Sequence, residues 1–246
     1  MKRALLAMIL FTLSATAVDL AQTQPELLRV TSIRYDRKQP LTEALRIVGL
    51  HVQGGFVSFG VDVVGDTEPE VDVSMSDTTL GDALRRITSQ IPGYASEVVS
   101  GHVVEIYEGG ERANPGDVLN LPIREFSVND VPAAMILSAP TRYIPDLKSY
   151  ISKEHSELGC GSIGPGLGTD ALGVTLSLAG LTVRQILDAV AEADAVLPSS
   201  RRFRLEPVGW VHRRTNDAKA GVVPAWSSMS FAPHDWKGTG PLHRRD

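Results

Sequence analysis

Apolar residues follow the same pattern in two stretches of the chain, Val71–Ile87 and Val174–Val190, which align without a gap. In each stretch, apolar residues first alternate with other residues and then, after a threonine, recur every three or four positions. A period of two is typical of a strand, and a period of 3.6 is typical of a helix. Both stretches therefore predict a strand that leads into a helix, with Ser or Thr capping the first turn of that helix.

A weaker match surrounds both stretches, so that each belongs to a larger unit. Upstream, Ile33-Arg34 reappears as Ile123-Arg124, and each pair is followed by apolar residues at helical spacing. Downstream, each copy ends in a β-rich ribbon, one around Gly101 and one around Gly209. The order of predicted elements gives an α+β fold class with two tandem modules.

Composition places the boundaries of the two modules. The turn-rich segment Gly109–Gly116 separates a first module, Leu27–Gly110, from a second and more divergent one, Asp117–Arg214. Acidic residues collect in the first module and arginines at the end of the second: Asp62, Asp66, Glu68, Glu70, Asp72, Asp77 and Asp82 against Arg201, Arg202, Arg204, Arg213 and Arg214. We expect these charged residues to lie on solvated faces of the modules. Docking of one module on the other, or self-association, through the opposite charges stays open as an alternative.

Neither end of the chain belongs to these modules. Lys2-Arg3, the apolar run Ala4–Phe11 and small residues up to Ala21 are typical of a signal peptide over residues 1–21, which predicts a periplasmic or secreted protein. No later apolar stretch is long enough for a transmembrane helix, so no membrane span is expected in the mature chain. Residues Thr215–Asp246 are polar and rich in Pro, Gly and Ser, which predicts a disordered tail.

The chain offers little equipment for catalysis or cofactor binding. A net charge of −5 disfavours nucleic acid as a partner. The glycines of Gly159–Gly164 follow a predicted helix and not a strand, so they do not form a dinucleotide site. No metal-ligand spacing is present, and no cofactor is predicted. Two alternatives stay open: a secreted thiol hydrolase that uses Cys160 with His155, and a peptide- or carbohydrate-binding protein with a cleft between the modules.

Several short motifs in the first module occur in the order of a known family. They are Pro40-Leu-Thr-Glu-Ala-Leu45, the apolar run Gly54–Val64, Thr79-Leu-Gly-Asp-Ala-Leu84 and the closing Gly101–Tyr107. In this order they resemble the short N-terminal domain of secretins and TonB-dependent transducers; the second module matches only in its latter half. The resemblance implies modules of two βαβ-like halves, with helices on small sheets, in a periplasmic protein that contacts other envelope proteins. A secretin or a TonB-system component is the partner implied.

Small open sheets also indicate how such a partner would bind. An edge strand carries unpaired N–H and C=O groups, which a partner strand can extend. We expect the edges at the strand near Phe56 and Ser58 and at the closing strand with Val103, Glu105 and Tyr107. The sequence therefore predicts a non-enzymatic interaction protein of an envelope process such as secretion, pilus assembly or transport signalling.

Overall fold

The α+β fold class is confirmed by the computed structural model, which describes residues 24–65, 67–154, 173–197, 208–217 and 221–230. The strands are β1 (Arg29–Val30), β2 (Gln39–Pro40), β3 (Val52–Gln53), β4 (Ser58–Val64), β5 (Glu70–Val71), β6 (Thr78–Thr79), β7 (Tyr94–Val98), β8 (Val103–Glu108), β9 (Pro122–Val131), β10 (Val174–Thr182), β11 (Val208–Asp217) and β12 (Gly221–Ser230). The helices are α1 (Leu41–Leu50), α2 (Leu80–Thr88), α3 (Gly109–Arg112), α4 (Ala133–Ser138), α5 (Pro145–Glu154) and α6 (Val183–Ala195), with short 3-10 turns at Pro25–Leu27, Val118–Asn120 and Pro140–Arg142.

Threonine caps begin α2 and α6, as the repeated pattern predicts. The Thr79 hydroxyl accepts a hydrogen bond from the Asp82 N–H at the start of α2. At the start of α6, Thr182 accepts from the Gln185 N–H, and the Gln185 side chain accepts from the Thr182 N–H in return. Such caps satisfy N–H groups that have no partner within the helix, so they fix where each helix begins.

The strands that precede the two helices also pair alike. Thr79 lies opposite Arg29 and Met75 opposite Ile33, whereas in the second half Thr182 lies opposite Pro122 and Leu178 opposite Phe126. The position equivalent to Ile33 is therefore Phe126 and not Ile123. The sequence match there was out of register because a single Ile-Arg pair is too short to fix an alignment.

A five-stranded sheet in the order β12-β11-β4-β8-β7 joins both halves of the chain. The central strand β4 pairs in parallel with β8 on one side and with β11 on the other. Phe59, Val61 and Val63 of β4 belong to the core that contains α1 and α2. The other face of the sheet lies against α6, because Asp62 of β4 accepts a hydrogen bond from Arg184 of α6.

This sheet corrects the expectation of two self-contained modules, 27–110 and 117–214. β11 comes from the second half but completes the sheet of the first. Between its two strand–helix units the first half contains β4, whereas the second half contains α5 among its described residues. The β11–β12 hairpin therefore pairs with the β4 of the first half, and the two halves share one sheet.

The predicted tail is also corrected over the residues that the structure describes. β11 runs without a turn through Gly209 to Asp217, and β12 pairs with it along its length, from Val208 opposite Ser230 to Asp217 opposite Gly221. Paired backbone groups hold Thr215–Asp217 and Gly221–Ser230 in the sheet, and the second segment is itself uncharged and contains Val222, Val223 and Trp226. The predicted signal peptide, Cys160, His155 and residues 231–246 lie outside the described residues. Within the described part of the chain, no helix is long and apolar enough to cross a membrane.

Candidate binding site along the β7 edge

β7 forms one edge of the five-stranded sheet and, among the strands that the structure describes, pairs only with β8. The Val99 N–H donates to the Val103 carbonyl at 3.0 Å and the Gly109 N–H donates to the Gly93 carbonyl at 2.9 Å. In an antiparallel pair, alternate residues direct their N–H and C=O groups toward the partner strand. The backbone groups of Ser96 therefore point away from β8, and those of Val98 do the same. Among the described residues, none hydrogen-bonds to these outward groups.

β12, the opposite edge, is less suited to strand addition. It contains Pro224, which pairs with Arg214 of β11. Proline has no N–H to donate to a ladder and is one of the features that protects natural sheet edges from further pairing. β7 contains no proline from Tyr94 to Val98, so every residue of β7 retains a backbone donor.

Two grooves flank the β7 edge, one on each face of the sheet. The α2 groove, of about 520 Å³, is lined by Leu27, Leu84, Val98 and Val104 together with polar residues. The α6 groove, of about 590 Å³, lies between the β7–β8 ribbon and α6. Its lining residues include Glu97, Glu105, Arg112, Arg184, Asp188 and Glu192. The α2 groove thus combines apolar side chains with the charged residues Glu26 and Arg85, and the α6 groove contains more carboxylates than guanidiniums.

Glu97 and Glu105 lie directly opposite each other on the α6 side of the β7–β8 pair. Like charges in this position destabilise a sheet unless a cation compensates them. Arg112 of α3 supplies that cation: it donates to Glu97 at 2.6 Å, forms an ion pair with Glu105, and stacks its guanidinium over the Tyr107 ring at 4.1 Å. Arg184 donates to the Oε2 atom of Glu105 at 3.2 Å.

The other carboxylate oxygen of Glu105 has no such partner. Its Oε1 atom is buried, and no described residue donates a hydrogen bond to it. The Glu105 side chain is only 1 % exposed. A buried acceptor without a donor is energetically unfavourable, so a donor that reached this oxygen would stabilise it.

Asp188 stands on the α6 wall of the groove. The Trp210 indole N–H donates to its carboxylate at 2.9 Å. Burial raises the pKa of Asp188 to about 7. The Trp210 hydrogen bond and the positive charges of Arg184 and Arg112 lower this pKa and offset part of the rise. Gly60 makes this arrangement fit, because a Cβ atom at position 60 would lie 2.5 Å from the Trp210 ring.

Behind the groove, a buried ionic cluster ties the two halves together. Asp62 is fully buried and accepts from His212 at 3.0 Å, Arg214 at 2.7 Å and Arg184 at 3.3 Å. Burial opposes ionisation of Asp62, but these three partners hold the pKa of its carboxyl below the ordinary value. Arg214 also donates to Asp117 at 2.6 Å, and burial raises the pKa of Asp117. The cluster fixes the position of β11 and α6 against β4.

Two pairs of residues from the opposite charge patches thus meet between the halves. Asp62 pairs with Arg214, and Glu68 forms an ion pair with Arg213. For these residues the expectation of solvated faces is wrong, and the alternative of docking between the halves is confirmed. The physical reason is the β4–β11 pairing, which brings the acidic strand beside the arginine-rich one.

At the rim of the groove, Glu192 of α6 holds the β7–β8 turn. It accepts from the Ser100 hydroxyl at 2.6 Å and from the His102 N–H at 2.9 Å, and it lies 2.7 Å from the His102 ring. Burial acts against ionisation, but these bonds lower the pKa of Glu192 below its ordinary value. This side chain therefore connects α6 to the β7–β8 turn and closes one end of the groove.

The residues that the sequence predicted at sheet edges lie elsewhere. Ser58 belongs to the central strand, and Val103, Glu105 and Tyr107 belong to β8, which is paired on both sides. Phe56 precedes β4 and is 44 % exposed. The edge assignment is wrong because β11 covers β4 and β7 covers β8. Of these residues, Glu105 does reach the site, as a buried side chain at the α6 groove.

Sequence reasoning missed the buried charges on the α6 side of the sheet. A signal was present, since polar or small residues alternate with apolar ones in Ser58–Asp62. Such alternation usually marks a solvated face, and only the position of α6 shows that this face is covered. Among the described residues, no group of His, Cys, Asp and Glu side chains could hold a metal ion.

Comparison with known proteins yields no relative of this chain: no protein-family model, no curated protein and no solved structure matches it.

Proposed function

We propose that this protein is a non-enzymatic interaction protein that binds an extended segment of a partner by adding it as a strand to β7. The observation that carries the proposal is the unpaired edge of β7 with a groove on either face. Main-chain hydrogen bonds provide the affinity in this mode of binding, and pockets for alternate side chains provide the specificity. The two grooves occupy the positions where such pockets are needed.

Alternation along the strand supports this assignment. Ser96 and Val98 lie on the α2 side of β7, whereas Glu97 and Val99 lie on the α6 side. Successive side chains of an added strand would enter the α2 groove and the α6 groove in turn. The α6 groove lies between residues of the two halves, so the alternative of a peptide-binding cleft between modules leads to the same function.

The cellular context of the proposal rests on the sequence. The N-terminal pattern of residues 1–21 supports export to the periplasm, and the resemblance of Leu27–Gly110 to the secretin and TonB N-terminal domain supports an envelope protein as the partner. We therefore place the protein in a bacterial envelope process such as secretion, pilus assembly or transport signalling.

Proline at position 96 tests the proposal. Because the Ser96 N–H points away from β8, Ser96→Pro removes a donor from the free edge and leaves the β7–β8 ladder intact. We expect the variant to match the parent in far-UV circular dichroism and to lose the envelope protein that co-purifies with the parent. Ser96→Thr retains the N–H and is the matched control, which should keep the partner.

Two results would contradict the proposal. One is a folded Ser96→Pro protein that retains every partner of the parent. The other is a hydrolytic activity that Cys160→Ser or His155→Ala abolishes while partner binding is unchanged, which would favour the thiol hydrolase instead.

A further inference from the structure

The chemistry of the α6 groove specifies one side chain of the segment that would bind to β7. A residue added opposite Glu97, on the α6 side, would extend a row that already contains Glu97 and Glu105. Directly opposite residues in a sheet have Cβ atoms about 5 Å apart, and adjacent strands lie about 4.8 Å apart. A long side chain at this position therefore reaches Glu97 and extends toward Glu105.

Negative charge exceeds positive charge in this groove. The carboxylates of Glu97, Glu105 and Glu192 line it, together with Asp188, whose pKa of about 7 leaves it partly ionised at neutral pH, against the two guanidiniums of Arg112 and Arg184. Arg184 is shared further, since it also donates to Asp62 at 3.3 Å. A cation that enters the groove would compensate the excess negative charge.

An independent observation also indicates a donor. The Oε1 atom of Glu105, at the same groove, is buried without a hydrogen-bond partner among the described residues. An ammonium or guanidinium group supplies N–H donors as well as charge, and hydrogen bonds to an ionised carboxylate are the stronger kind. A carboxylate in the same place would lack a donor and would be repelled by Glu97.

The opposite face exposes one large apolar side chain. Residues on either side of the cation would point into the α2 groove, where Leu27 is exposed beside the partly buried Val98. Leu27 is 64 % exposed. Apolar neighbours of the cation would cover this surface and bury it on binding.

We infer that the segment captured by β7 carries lysine or arginine opposite Glu97, with an apolar residue immediately before and after it. This inference rests on the proposed strand addition and adds the chemical class of the partner, an extended apolar–cation–apolar segment. A free metal ion is not the occupant that we infer, because no described group of side chains provides a metal site.

Three labelled peptides test the inference by fluorescence anisotropy at low salt. They share the sequence Thr-Val-Thr-Val-X-Val-Thr-Val-Thr, with X as Lys, Gln or Glu, and sedimentation confirms that each is monomeric. Because successive side chains alternate, every valine faces one groove and X faces the other. We expect the Lys peptide to bind about fivefold more tightly than the Gln peptide, as for a favourable exposed ion pair, and the Glu peptide to bind most weakly.

Variants separate this inference from the proposed function. Glu97→Gln should lose most of the preference for the Lys peptide over the Gln peptide, because the residue directly opposite the cation is then neutral. Glu125→Gln, which removes the same charge from an exposed position of β9, should keep the preference for Lys. Ser96→Pro should weaken all three peptides.

The outcomes that would overturn each step are distinct. If the three peptides bind equally and Ser96→Pro weakens them all, the cationic position is wrong while strand addition stands. If the Lys preference is undiminished in Glu97→Gln, the cation binds elsewhere and the inference falls. If none of the peptides binds, or if Ser96→Pro leaves binding unchanged, strand addition at β7 fails and the inference fails with it.

Discussion

Replacing Asp62 by Asn tests whether the buried ionic cluster holds the two halves together. Asn has nearly the same shape as Asp but no charge, so it leaves the guanidiniums of Arg184 and Arg214 without the carboxylate that they share at 3.3 and 2.7 Å. Removing one partner of a buried ion pair costs about 3–5 kcal/mol. In a protein of this size, 1 kcal/mol shifts the melting temperature by about 2–4 °C, so we expect a decrease of roughly 6–20 °C.

The stability difference between the parent and Asp62→Asn should also depend on pH in a definite direction. The pKa of Asp62 is held below its ordinary value of 3.8 in the folded protein. The carboxylate therefore stabilises the fold above that value, and the stabilisation is lost as the pH falls through the lower, folded-state pKa. The difference in stability between the parent and Asp62→Asn should be constant near neutral pH and should shrink below pH 4.

Urea unfolding followed by tryptophan fluorescence measures this difference, since Trp210 is fully buried beside the cluster. Asp146→Asn is the control: this carboxylate also binds an arginine, Arg124 at 2.8 Å, but in an exposed ion pair. The control should unfold like the parent. If Asp62→Asn also unfolds like the parent at pH 7, the cluster does not stabilise the contact between β4 and β11, and our account of the shared sheet is wrong.

Three further changes probe the same structure. Gly60→Ala places a Cβ atom 2.5 Å from the Trp210 ring, so we expect a loss of about 1–3 kcal/mol and a shifted tryptophan emission; an unchanged emission would refute the close contact. Asp188→Asn removes a carboxyl whose pKa rises to about 7 on folding. In the parent, the stabilisation from this group is present at low pH and is lost as the pH rises through 7. The variant should therefore match the parent in stability at pH 4 and exceed it at pH 8, and a variant that is less stable than the parent at pH 8 would contradict this. Leu84→Ala and Leu187→Ala each truncate a side chain that is no more than 2 % exposed, and each should lower the free energy of unfolding by about 2–5 kcal/mol. Each variant should unfold in a single transition in thermal melts, whereas two separate transitions would show independent modules.

The repeated strand–helix pattern was largely determined by the sequence. Thr79 and Thr182 cap helices whose apolar faces are buried, and the strands before them pair in matching registers. These features are local, because a cap needs only the next three residues and a helix face needs only its own period. The α+β class follows from the same local signals.

The site was decided by long-range pairing. The sequence pattern of β4 and β8 fits an edge strand as well as a central one, since backbone groups pair whatever the side chains are. The position of β11 beside β4 made both strands interior and left β7 as the free edge.

The same pairing determined which charged residues are buried and which residues of the predicted tail form a strand. Asp62 and Arg214 are separated by about 150 residues, and nothing local indicates that they share a buried cluster. The residues of β12 form a strand because β11 offers a ladder to them, although residues 215–246 as a whole are rich in Pro, Gly and Ser. Local periodicity determines which helices and strands form, whereas partners distant in the chain determine which faces and edges stay open. The reason is that the free energy of burial and pairing depends on residues that are neighbours in space but far apart in the sequence.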